Sequence, residues 1–337
     1  MVRPDVLVTA ASRRVALVRA LQGALGRLPP HGRVIAADID AFSPAVHVAD
    51  AACKVPRSDD PSYVDALLDI CEAHGVGLLV PTIDDELETI AAAGARFAAA
   101  GVVVTGPTVG TARICRDKRL TALHLAAQGI RSARTWTPEE ARAAQPSVPL
   151  FIKPRRGRGG VGAHAVKTPE ELRFFLDYVP DPIVQEYLAG PEFTIDMFCD
   201  LQGRPLSAVP RERLVIRSGV SDRGRVVRDD ALIELAVRCA GVLEFRGAVN
   251  VQCRVVDGTP VVFEINPRFS GGIQLTIAAG ADFAEWSIRV ARGDVLPPRI
   301  GDFTDGLRMS SYESSLFFTD ADARVLEPGT LQSRERS

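Results

Sequence analysis

Cysteine pairs and long apolar runs are missing from this sequence, and each absence excludes a class of protein. The 337 residues contain six cysteines, and none of them forms a C-x-x-C pair. This scatter argues against a disulfide framework or a zinc site and predicts reduced thiols in a cytoplasmic protein. No uninterrupted apolar run approaches ~20 residues, and no signal peptide follows Met1. We therefore expect neither a membrane helix nor secretion.

An excess of charge of one sign is also missing, and lysine is scarce. The net charge is −2, from 40 basic and 42 acidic side chains. No global field recruits nucleic acid or a membrane, so the expected partners are small molecules. Only four basic residues are lysines, namely Lys54, Lys118, Lys153 and Lys167. Two of them lie where a nucleotide site would need them. These are Lys153 and Lys118, and Lys118 belongs to a helix predicted over 113–128.

Strand and helix signals alternate over residues 4–110. This alternation predicts a parallel sheet with right-handed crossovers, and the chain is long enough for further domains. The first strand-to-helix turn, at 9–12, reads Thr-Ala-Ala-Ser instead of G-x-G-x-x-G, so we expect no dinucleotide site there. A polar run after a later strand contains Thr82, Asp84, Asp85 and Glu86. It either faces an active site or simply favours a helix N-terminus.

A glycine-rich segment follows Lys153 and lies between two predicted strands. It reads Pro-Arg-Arg-Gly-Arg-Gly-Gly-Val-Gly over 154–162 and lacks the G-K-[ST] ending of a Walker P-loop. Such a strand–loop–strand can close over phosphates and donate backbone N–H groups, here from Gly159, Gly160 and Gly162. Lys153 can reach a phosphate as a point charge. The alternative is a mobile surface hairpin.

Apolar and polar residues alternate over 249–256 and 261–266, on either side of an Asp257–Gly258 turn. This period of two predicts an antiparallel hairpin. If an odd-length loop puts Gln252 opposite Glu264, all odd positions share an apolar face. The other face then carries four oxygen-bearing side chains, those of Asn250, Gln252, Glu264 and Asn266. Hard oxygen ligands favour Mg²⁺ or Mn²⁺ over zinc, although an ordinary exposed sheet face alternates in the same way.

Further polar groups surround these two motifs. Glu186 and Leu188 lie at the end of a strand, whose backbone can pair an adenine edge, and Glu192 just beyond can accept from ribose hydroxyls. Arginine recognises carboxylates in a bidentate manner. The candidates for an acyl substrate site are therefore Arg211, Arg213 and Arg217. Taken alone, the two acids are more typical of a surface than of a nucleotide site, and the arginines are equally typical of a solvated strand.

Together, these motifs resemble the ATP-grasp superfamily, and most of all the branch related to the large subunit of carbamoyl-phosphate synthetase. The resemblance covers nearly the whole chain, and it rests on an ordered set of segments. They are Asp117-Lys118, Lys153-Pro154-Arg155 with its glycines, Gln185-Glu186-Tyr187-Leu188, Gly190-Pro191-Glu192, Asn250-Val251-Gln252 and Glu264-Ile265-Asn266-Pro267-Arg268. Residues 1–110 are similar to the α/β domain that precedes the ATP-grasp domains.

The resemblance implies an α/β N-terminal domain with a parallel sheet, followed by a two-subdomain α+β ATP-grasp fold. The predicted bounds are 1–112 for the N-terminal domain and 113–187 for a small subdomain with a glycine-rich flap. The C-terminal subdomain with the metal site is predicted over 188–325, and a flexible tail over 326–337.

The resemblance also implies roles for individual residues. Lys118 and Lys153 would bind ATP phosphates, Glu186 and Leu188 would frame the adenine through the backbone, and Glu192 would take the ribose. Gln252, Glu264 and Asn266 would hold two Mg²⁺ or Mn²⁺ ions, with Glu264 bridging them. Arg268 would contact the transferring phosphoryl group or the substrate carboxylate. The remaining substrate candidates are Arg211, Arg213, Arg217, Gly271 and Gly272.

The implied activity is that of an ATP-dependent carboxylate–amine ligase, which forms an amide through an acyl phosphate and releases ADP and phosphate. The chain is far shorter than carbamoyl-phosphate synthetase and has one ATP-grasp unit, so synthesis of carbamoyl phosphate is not expected. A small-molecule kinase on the same fold stays open, as does a homodimer. A nucleotide-binding protein without turnover is a third alternative, but the intact Glu264, Asn266 and two lysines argue against it.

Overall fold

A five-stranded parallel sheet forms the first third of the chain in a computed structural model that describes residues 3–319. Its strands are β1 (Asp5–Val8), β2 (Val34–Asp38), β3 (Ala51–Lys54), β4 (Val76–Val80) and β5 (Val103–Val104). They run in the order β3-β2-β1-β4-β5, and every neighbouring pair is parallel. The prediction of a parallel α/β sheet is therefore confirmed, and the carboxyl ends of β1 and β4 lie side by side.

Five helices cover this sheet because their apolar residues recur at helical spacing. They are α1 (Val15–Arg27), α2 (Pro44–Val48), α3 (Tyr63–His74), α4 (Asp84–Ala92) and α5 (Gly94–Ala99). Helix α1 buries Leu17, Leu21 and Leu25 in one stripe. Helix α3 ends at Gly75, whose positive φ of 62° is the left-handed conformation that glycine adopts most readily after a helix.

A four-stranded antiparallel sheet follows. It contains β6 (Thr135–Trp136), β7 (Leu150–Pro154), β8 (His164–Val166) and β9 (Pro182–Glu186), in the order β6-β9-β7-β8. Four helices precede or flank its strands, namely α6 (Val109–Arg116), α7 (Lys118–Ala127), α8 (Pro138–Ala144) and α9 (Pro169–Tyr178). The single helix predicted over 113–128 is wrong, because Asp117 ends α6 and caps α7. The glycine-rich segment joins β7 to β8.

A six-stranded antiparallel sheet forms the rest. Its strands are β10 (Glu192–Cys199), β11 (Pro205–Arg217), β12 (Val220–Val226), β13 (Gly247–Val256), β14 (Thr259–Asn266) and β15 (Arg308–Ser310), in the order β14-β13-β10-β11-β12-β15. The helices of this part are α10 (Asp230–Ala240), α11 (Ile273–Ala278) and α12 (Phe283–Ala291). The predicted domain boundaries at 112 and 187 fall between the sheets and stay a prediction. The predicted tail at 326–337 lies outside the described residues.

The buried apolar side chains divide unequally among the sheets. The largest cluster combines residues of the N-terminal part, such as Val8 and Leu21, with residues of the six-stranded sheet, such as Phe198 and Val251. The four-stranded sheet has a small cluster of its own, which includes Trp136. Helices α1 and α12 also meet through Arg27, whose guanidinium contacts two acids of α12 and its N-cap. Some residues of the N-terminal part thus share a core with the large sheet, whereas others, such as Leu7 and Phe97, form a separate cluster within the N-terminal part.

The six cysteines are all buried as free thiols. Burial raises the pKa of the Cys53 thiol to about 11 and that of Cys199 to about 12. These groups therefore stay protonated at neutral pH and offer no thiolate nucleophile. Among residues 3–319, no helix combines the length and the apolar character that crossing a bilayer requires.

Candidate functional site

Strands β13 and β14 bring the predicted oxygen ligands together. Gln252 pairs with Glu264, and Asn250 pairs with Asn266, in antiparallel register. Paired residues of an antiparallel ladder point to the same face of the sheet. The register that the alternation required is therefore present, and the four side chains form one polar band.

A β-bulge corrects the prediction for the odd-numbered positions. The register shifts after Gln252, so that Cys253 pairs with Val262. Val262 joins the main core, whereas Val261 and Phe263 lie in a separate small cluster with Leu188. The bulge was invisible in the sequence because the inserted residue is itself apolar. It places an apolar wall, formed by Leu188, Val261 and Phe263, beside the polar band.

Asn250 orients two of the predicted ligands, a role that the sequence analysis did not assign. Its Oδ1 accepts hydrogen bonds from Asn266 Nδ2 at 3.2 Å and from Gln252 Nε2 at 3.4 Å. Both ligand amides thus turn their nitrogens toward Asn250 and their oxygens away from it. The Gln252 oxygen then accepts from Arg213 at 3.3 Å, and the Asn266 oxygen accepts from Arg268 at 3.3 Å.

The donor set fits a hard divalent cation that is also bound by a phosphate chain. Glu264 supplies one carboxylate, and Gln252 and Asn266 supply amide oxygens. Within residues 3–319, no group of three or more His, Cys, Asp or Glu side chains could hold a metal ion. A cation at this face would therefore depend on amides and on oxygens of a bound substrate.

Lys153 and Lys118 lie next to this face. The Lys153 ammonium is buried, donates to the Phe263 carbonyl at 3.4 Å and lies 5.3 Å from the centre of the Phe263 ring. Burial lowers the pKa of Lys153 to about 8, with Glu264 opposing this effect and Lys118 adding to it. The Lys118 ammonium donates to the Gly157 carbonyl at 2.8 Å. Both lysines are therefore near the glycine-rich segment.

The glycine-rich flap, residues 155–163, is tied to α7 at its start. Asp117 caps α7 by accepting from the Arg119 and Leu120 amides, and it accepts from Arg155 Nε at 2.7 Å. Burial alone would raise the pKa of Asp117, but its hydrogen bonds, above all the one from Arg155, lower this pKa overall. Four glycines of the flap have positive φ values, which other residues adopt at a cost, namely Gly157, Gly159, Gly160 and Gly162.

The predicted adenine and ribose residues stand beside the apolar wall. The Glu186 carboxylate accepts from the Arg134 amide at 2.9 Å, and the Glu186 amide donates to the Arg134 carbonyl at 3.0 Å. Glu192 has one oxygen 2.6 Å from Arg213 Nη1 and the other 2.5 Å from Arg254 Nη2. Both carboxylate oxygens of Glu192 are thus held by arginine side chains.

The three arginines predicted for the acyl substrate do not converge. Arg211 is 1% exposed, and its guanidinium bonds Asp196 at 2.7 Å and Ser270 at 3.0 Å. A Cβ at Gly272 would lie 2.7 Å from Arg211 Nη1, so this glycine allows the arginine to pack against the loop. Arg217 is solvent-exposed and pairs with Glu313. The alternating pattern of a strand cannot distinguish the different environments of the three arginines.

Arg268 connects the polar band to the parallel sheet. Its Nε and Nη2 donate to one oxygen of Asp84 at 3.1 and 2.7 Å. The neighbouring Asp85 pairs with Arg158 of the flap. Glu86 instead points inward and accepts from the Thr82 amide at 2.8 Å. Asp84 therefore contacts Arg268, and Glu86 stabilises the start of α4.

Arg14 was missed by the sequence analysis. It precedes α1 at the carboxyl end of β1 and donates to the Thr82 carbonyl at 3.0 Å. Burial and then the charge of Arg268 lower the pKa of Arg14 to about 10. No sequence signal marks it, because a single arginine at the start of a helix is common in so arginine-rich a chain. Arg14, Arg268 and Asp84 form a charged cluster between the parallel sheet and the polar band.

Two family profiles match the chain. One is described as ATP-grasp in the biosynthetic pathway with Ter operon and matches residues 178–314. The other is the PylC-like N-terminal domain, which matches residues 6–105. Together they cover the parallel sheet and the whole six-stranded sheet.

Curated relatives are more distant. An uncharacterized protein, y4rH, of Sinorhizobium fredii is 25% identical in an alignment of 308 positions. This alignment covers 82% of this chain and 61% of that protein. The carbamoyl phosphate synthase large chain of Deinococcus radiodurans is 31% identical over 182 residues, 48% of this chain and 18% of that one. The chain thus spans less than two thirds of the length of these two curated relatives.

Solved structures confirm the fold. The biotin carboxylase domain of 2-oxoglutarate carboxylase from Hydrogenobacter thermophilus, in complex with MgADP, ADP and bicarbonate, aligns with a TM-score of 0.72 and 19% identity over 91% of this chain and 74% of that one. N5-carboxyaminoimidazole synthetase from Staphylococcus aureus, complexed with ADP, aligns with a TM-score of 0.70 and 14% identity over 87% of this chain and 78% of that one.

Proposed function

We propose that this chain, which belongs to the ATP-grasp superfamily, is an ATP-dependent carboxylate–amine ligase that forms an amide through an acyl phosphate. The observation that carries the proposal is the meeting of one carboxylate, two oriented amides and two basic groups beneath the flap. Glu264 is paired with Gln252, Lys153 contacts Phe263 beside it, and Arg268 contacts Asn266. This combination suits a triphosphate with its cation.

ATP would lie between the four-stranded and six-stranded sheets. Lys118 and Lys153 would bind its phosphates, and the flap would cover them with the amides of Gly159, Gly160 and Gly162. The apolar wall would receive the adenine, with Glu186 and Leu188 framing it through the backbone. Glu192 would accept from the ribose hydroxyls. The ADP complexes of the two structural relatives support an adenine nucleotide as the ligand.

Mg²⁺ or Mn²⁺ would be held by Glu264, Gln252 and Asn266, with Glu264 bridging two ions. When bound, the cation supplies charge neutralisation for the phosphate chain. Asn250 keeps the amide oxygens of Gln252 and Asn266 directed away from itself, because its own oxygen binds their nitrogens. The MgADP in the biotin carboxylase relative supports Mg²⁺ as the ion.

The chemistry that we propose needs no covalent nucleophile. A substrate carboxylate oxygen attacks the γ-phosphorus, the bond to ADP breaks, and an acyl phosphate forms. The amine nitrogen then attacks the acyl carbon, phosphate leaves with the bonding electron pair, and the amine loses a proton. Lys153 and Arg268 would balance the charge of the transferring phosphoryl group. The buried, protonated cysteines agree with this route.

The acyl and amine substrates would meet at the charged cluster of Arg14, Asp84 and Arg268. A substrate carboxylate suits the two arginines, and an ammonium group suits Asp84. None of the three arginines predicted for the acyl substrate belongs to this cluster. We therefore place Arg211, Arg213 and Arg217 around the acyl site and not in contact with the substrate. The acid and the amine are small molecules in this proposal, and the protein is cytoplasmic. The dimer of the biotin carboxylase relative supports a homodimer.

An ADP-release screen tests the reaction class. Amino acids and other small carboxylates are supplied with Mg·ATP, singly and in pairs. A ligase releases ADP at full rate only with a pair of substrates. A kinase on the same fold, the second candidate, releases ADP with a single substrate and leaves a stable phosphorylated product. ATP turnover with no substrate dependence at all contradicts both.

Oxygen labelling tests the acyl phosphate. With ¹⁸O in the substrate carboxylate, we expect one labelled oxygen in the released phosphate, because the attacking oxygen becomes the bridge of the intermediate. The nucleotide product should be ADP. Mass spectrometry of the phosphate and chromatography of the nucleotide measure both. Label-free phosphate during amide formation, or stoichiometric AMP, contradicts the mechanism while leaving the fold untouched.

The pH dependence of nucleotide binding tests Lys153. Raising the pH from about 7 to about 9 should weaken ADP binding roughly tenfold, because only the protonated ammonium attracts phosphate. The pKa of Lys153 is lowered to about 8, so this attraction is lost as the pH rises through that value. Calorimetric titrations measure the affinity.

Two variants serve as references for this experiment. Lys153→Arg keeps its charge throughout this pH range and should bind ADP with nearly constant affinity. Lys167→Arg changes a lysine outside the site and should keep the wild-type slope. An unchanged slope in Lys153→Arg assigns the titration to another group.

A further inference from the structure

The tip of the flap packs on the turn between β11 and β12. Gly219 of this turn has φ of 76°, and Gly159 of the flap has φ of 70°. A Cβ at Gly219 would lie 2.7 Å from the Gly159 Cα and 3.0 Å from its carbonyl carbon. Side-chain carbons do not approach backbone so closely, so this contact requires glycine at 219. Two backbones therefore touch directly at the entrance of the site.

Arg213 fixes this turn from below, and every nitrogen of its guanidinium is used. Nη2 donates to the Gly219 carbonyl at 2.6 Å, and Nε donates to Ser221 at 3.3 Å. Nη1 donates to Glu192 at 2.6 Å and to Gln252 at 3.3 Å. The side chain is only 6% exposed. One planar and rigid group therefore joins the turn to the proposed ribose acid and to a proposed metal ligand.

The other contacts of the flap do not hold its tip in this way. Arg158 and Asp85 are about half exposed, at 53% and 45% of their side-chain surfaces. Ion pairs this open to water contribute little stability. The Asp117–Arg155 and Lys118–Gly157 hydrogen bonds lie at the base of the flap. The contact with the turn is thus the sterically specific one.

We propose that the turn at 218–219, called here the docking turn, is the surface on which the flap closes, and that Arg213 is a positioning residue that connects it to the nucleotide. The link to the nucleotide rests on the proposed function, because Glu192 and Gln252 are its ribose and metal contacts there. A nucleotide that binds Glu192 or Gln252 shares that side chain with Arg213. Any resulting shift of the Arg213 guanidinium alters its hydrogen bond to the Gly219 carbonyl and so affects the flap.

Hydrogen exchange of a glycine variant tests the docking turn without any ligand. Gly219→Ala adds a methyl group where Gly159 lies, and exchange over 155–163 should become about fivefold faster. Gly258→Ala is the matched control, because Gly258 has nearly the same φ, 75°, in the β13–β14 turn but no atom within 4 Å of its Cβ position. Backbone strain is thus equal, and only the contact differs.

The nucleotide arm uses Mg²⁺ and a non-hydrolysable ATP analogue. In the wild type and Gly258→Ala, the analogue should slow exchange over 155–163, whereas in Gly219→Ala most of this protection should be lost. Arg213→Lys keeps the charge but cannot reach Gly219, Glu192 and Gln252 together, so it should lose the protection as well. The Gly219→Ala and Arg213→Lys effects should be non-additive, since both act through one contact.

The outcomes separate the docking turn, the positioning role of Arg213 and the proposed nucleotide site from one another. Equal exchange over 155–163 in Gly219→Ala and Gly258→Ala, without ligand, overturns the docking turn. A wild-type response of Arg213→Lys to the analogue overturns the positioning role. Absence of any binding of the analogue to the wild type overturns the nucleotide site and the link through Arg213, while the ligand-free comparison still decides the docking turn.

Discussion

Replacement of Glu264 by glutamine should abolish ADP formation, with a loss on the order of 10³-fold. Glu264 supplies the only carboxylate of the proposed metal face and lies opposite Gln252 in the hairpin. An amide has the same size, so the fold should stay intact, but it removes the negative charge that would bind the cations. Turnover is measured with the substrates found by the ADP-release screen, over a range of Mg²⁺ concentrations.

Asp257→Asn is the matched control for this experiment. It makes the same chemical change, carboxylate to amide, in the turn of the same hairpin, where the positive φ of 48° is also one that asparagine adopts readily. This variant should keep wild-type turnover. Near-normal ADP formation by Glu264→Gln at saturating Mg²⁺ would show that the carboxylate does not hold the metal.

Replacement of Arg268 by lysine should lower kcat about 100-fold and change the KM for ATP little. Lysine keeps the charge but lacks the planar fork that contacts Asp84, the Asn266 side chain and the Phe269 carbonyl together. The proposed role of Arg268 lies in the transfer step, so its loss should appear in kcat. Steady-state kinetics with varied ATP separates the two parameters.

Arg225→Lys provides the comparison for an ordinary ion pair. Arg225 lies on β12 of the same sheet and pairs with Glu212, outside the polar band, and its replacement should leave kcat within about twofold. A KM effect without a kcat effect in Arg268→Lys would assign this arginine to ATP binding instead of phosphoryl transfer.

The hairpin of β13 and β14 could be predicted from the sequence because every second residue of a strand lies on the same face. The pairing of Gln252 with Glu264 does not follow from the turn, because the two-residue turn at 257–258 sets the register in which Cys253 pairs with Val262, and the bulge then shifts this register by one residue. The bulge itself could not be predicted, since an extra apolar residue leaves the composition of the strand unchanged. The apolar wall of Val261, Phe263 and Leu188 was therefore absent from the prediction.

Contacts between distant segments were the least predictable part of the site. The arginines at 211, 213 and 217 share a strand, yet one is buried against an aspartate, one joins three segments and one is exposed. Their environments depend on Ser270, Gln252 and Glu313, which are far away in the chain. The interruption of the helix at Asp117 has a local cause, a capping carboxylate, and this signal was available in the sequence.

The division of the buried side chains has a consequence for how the protein unfolds. The parallel sheet and the six-stranded sheet share a core, whereas the four-stranded sheet is built around a small core of its own. A chain whose four-stranded sheet has so small a core beside the shared one need not melt in a single cooperative step. Lys153 and the flap belong to the four-stranded sheet, and Glu264 belongs to the six-stranded sheet. A nucleotide that bridges them would couple the small core to the shared core and make unfolding more cooperative.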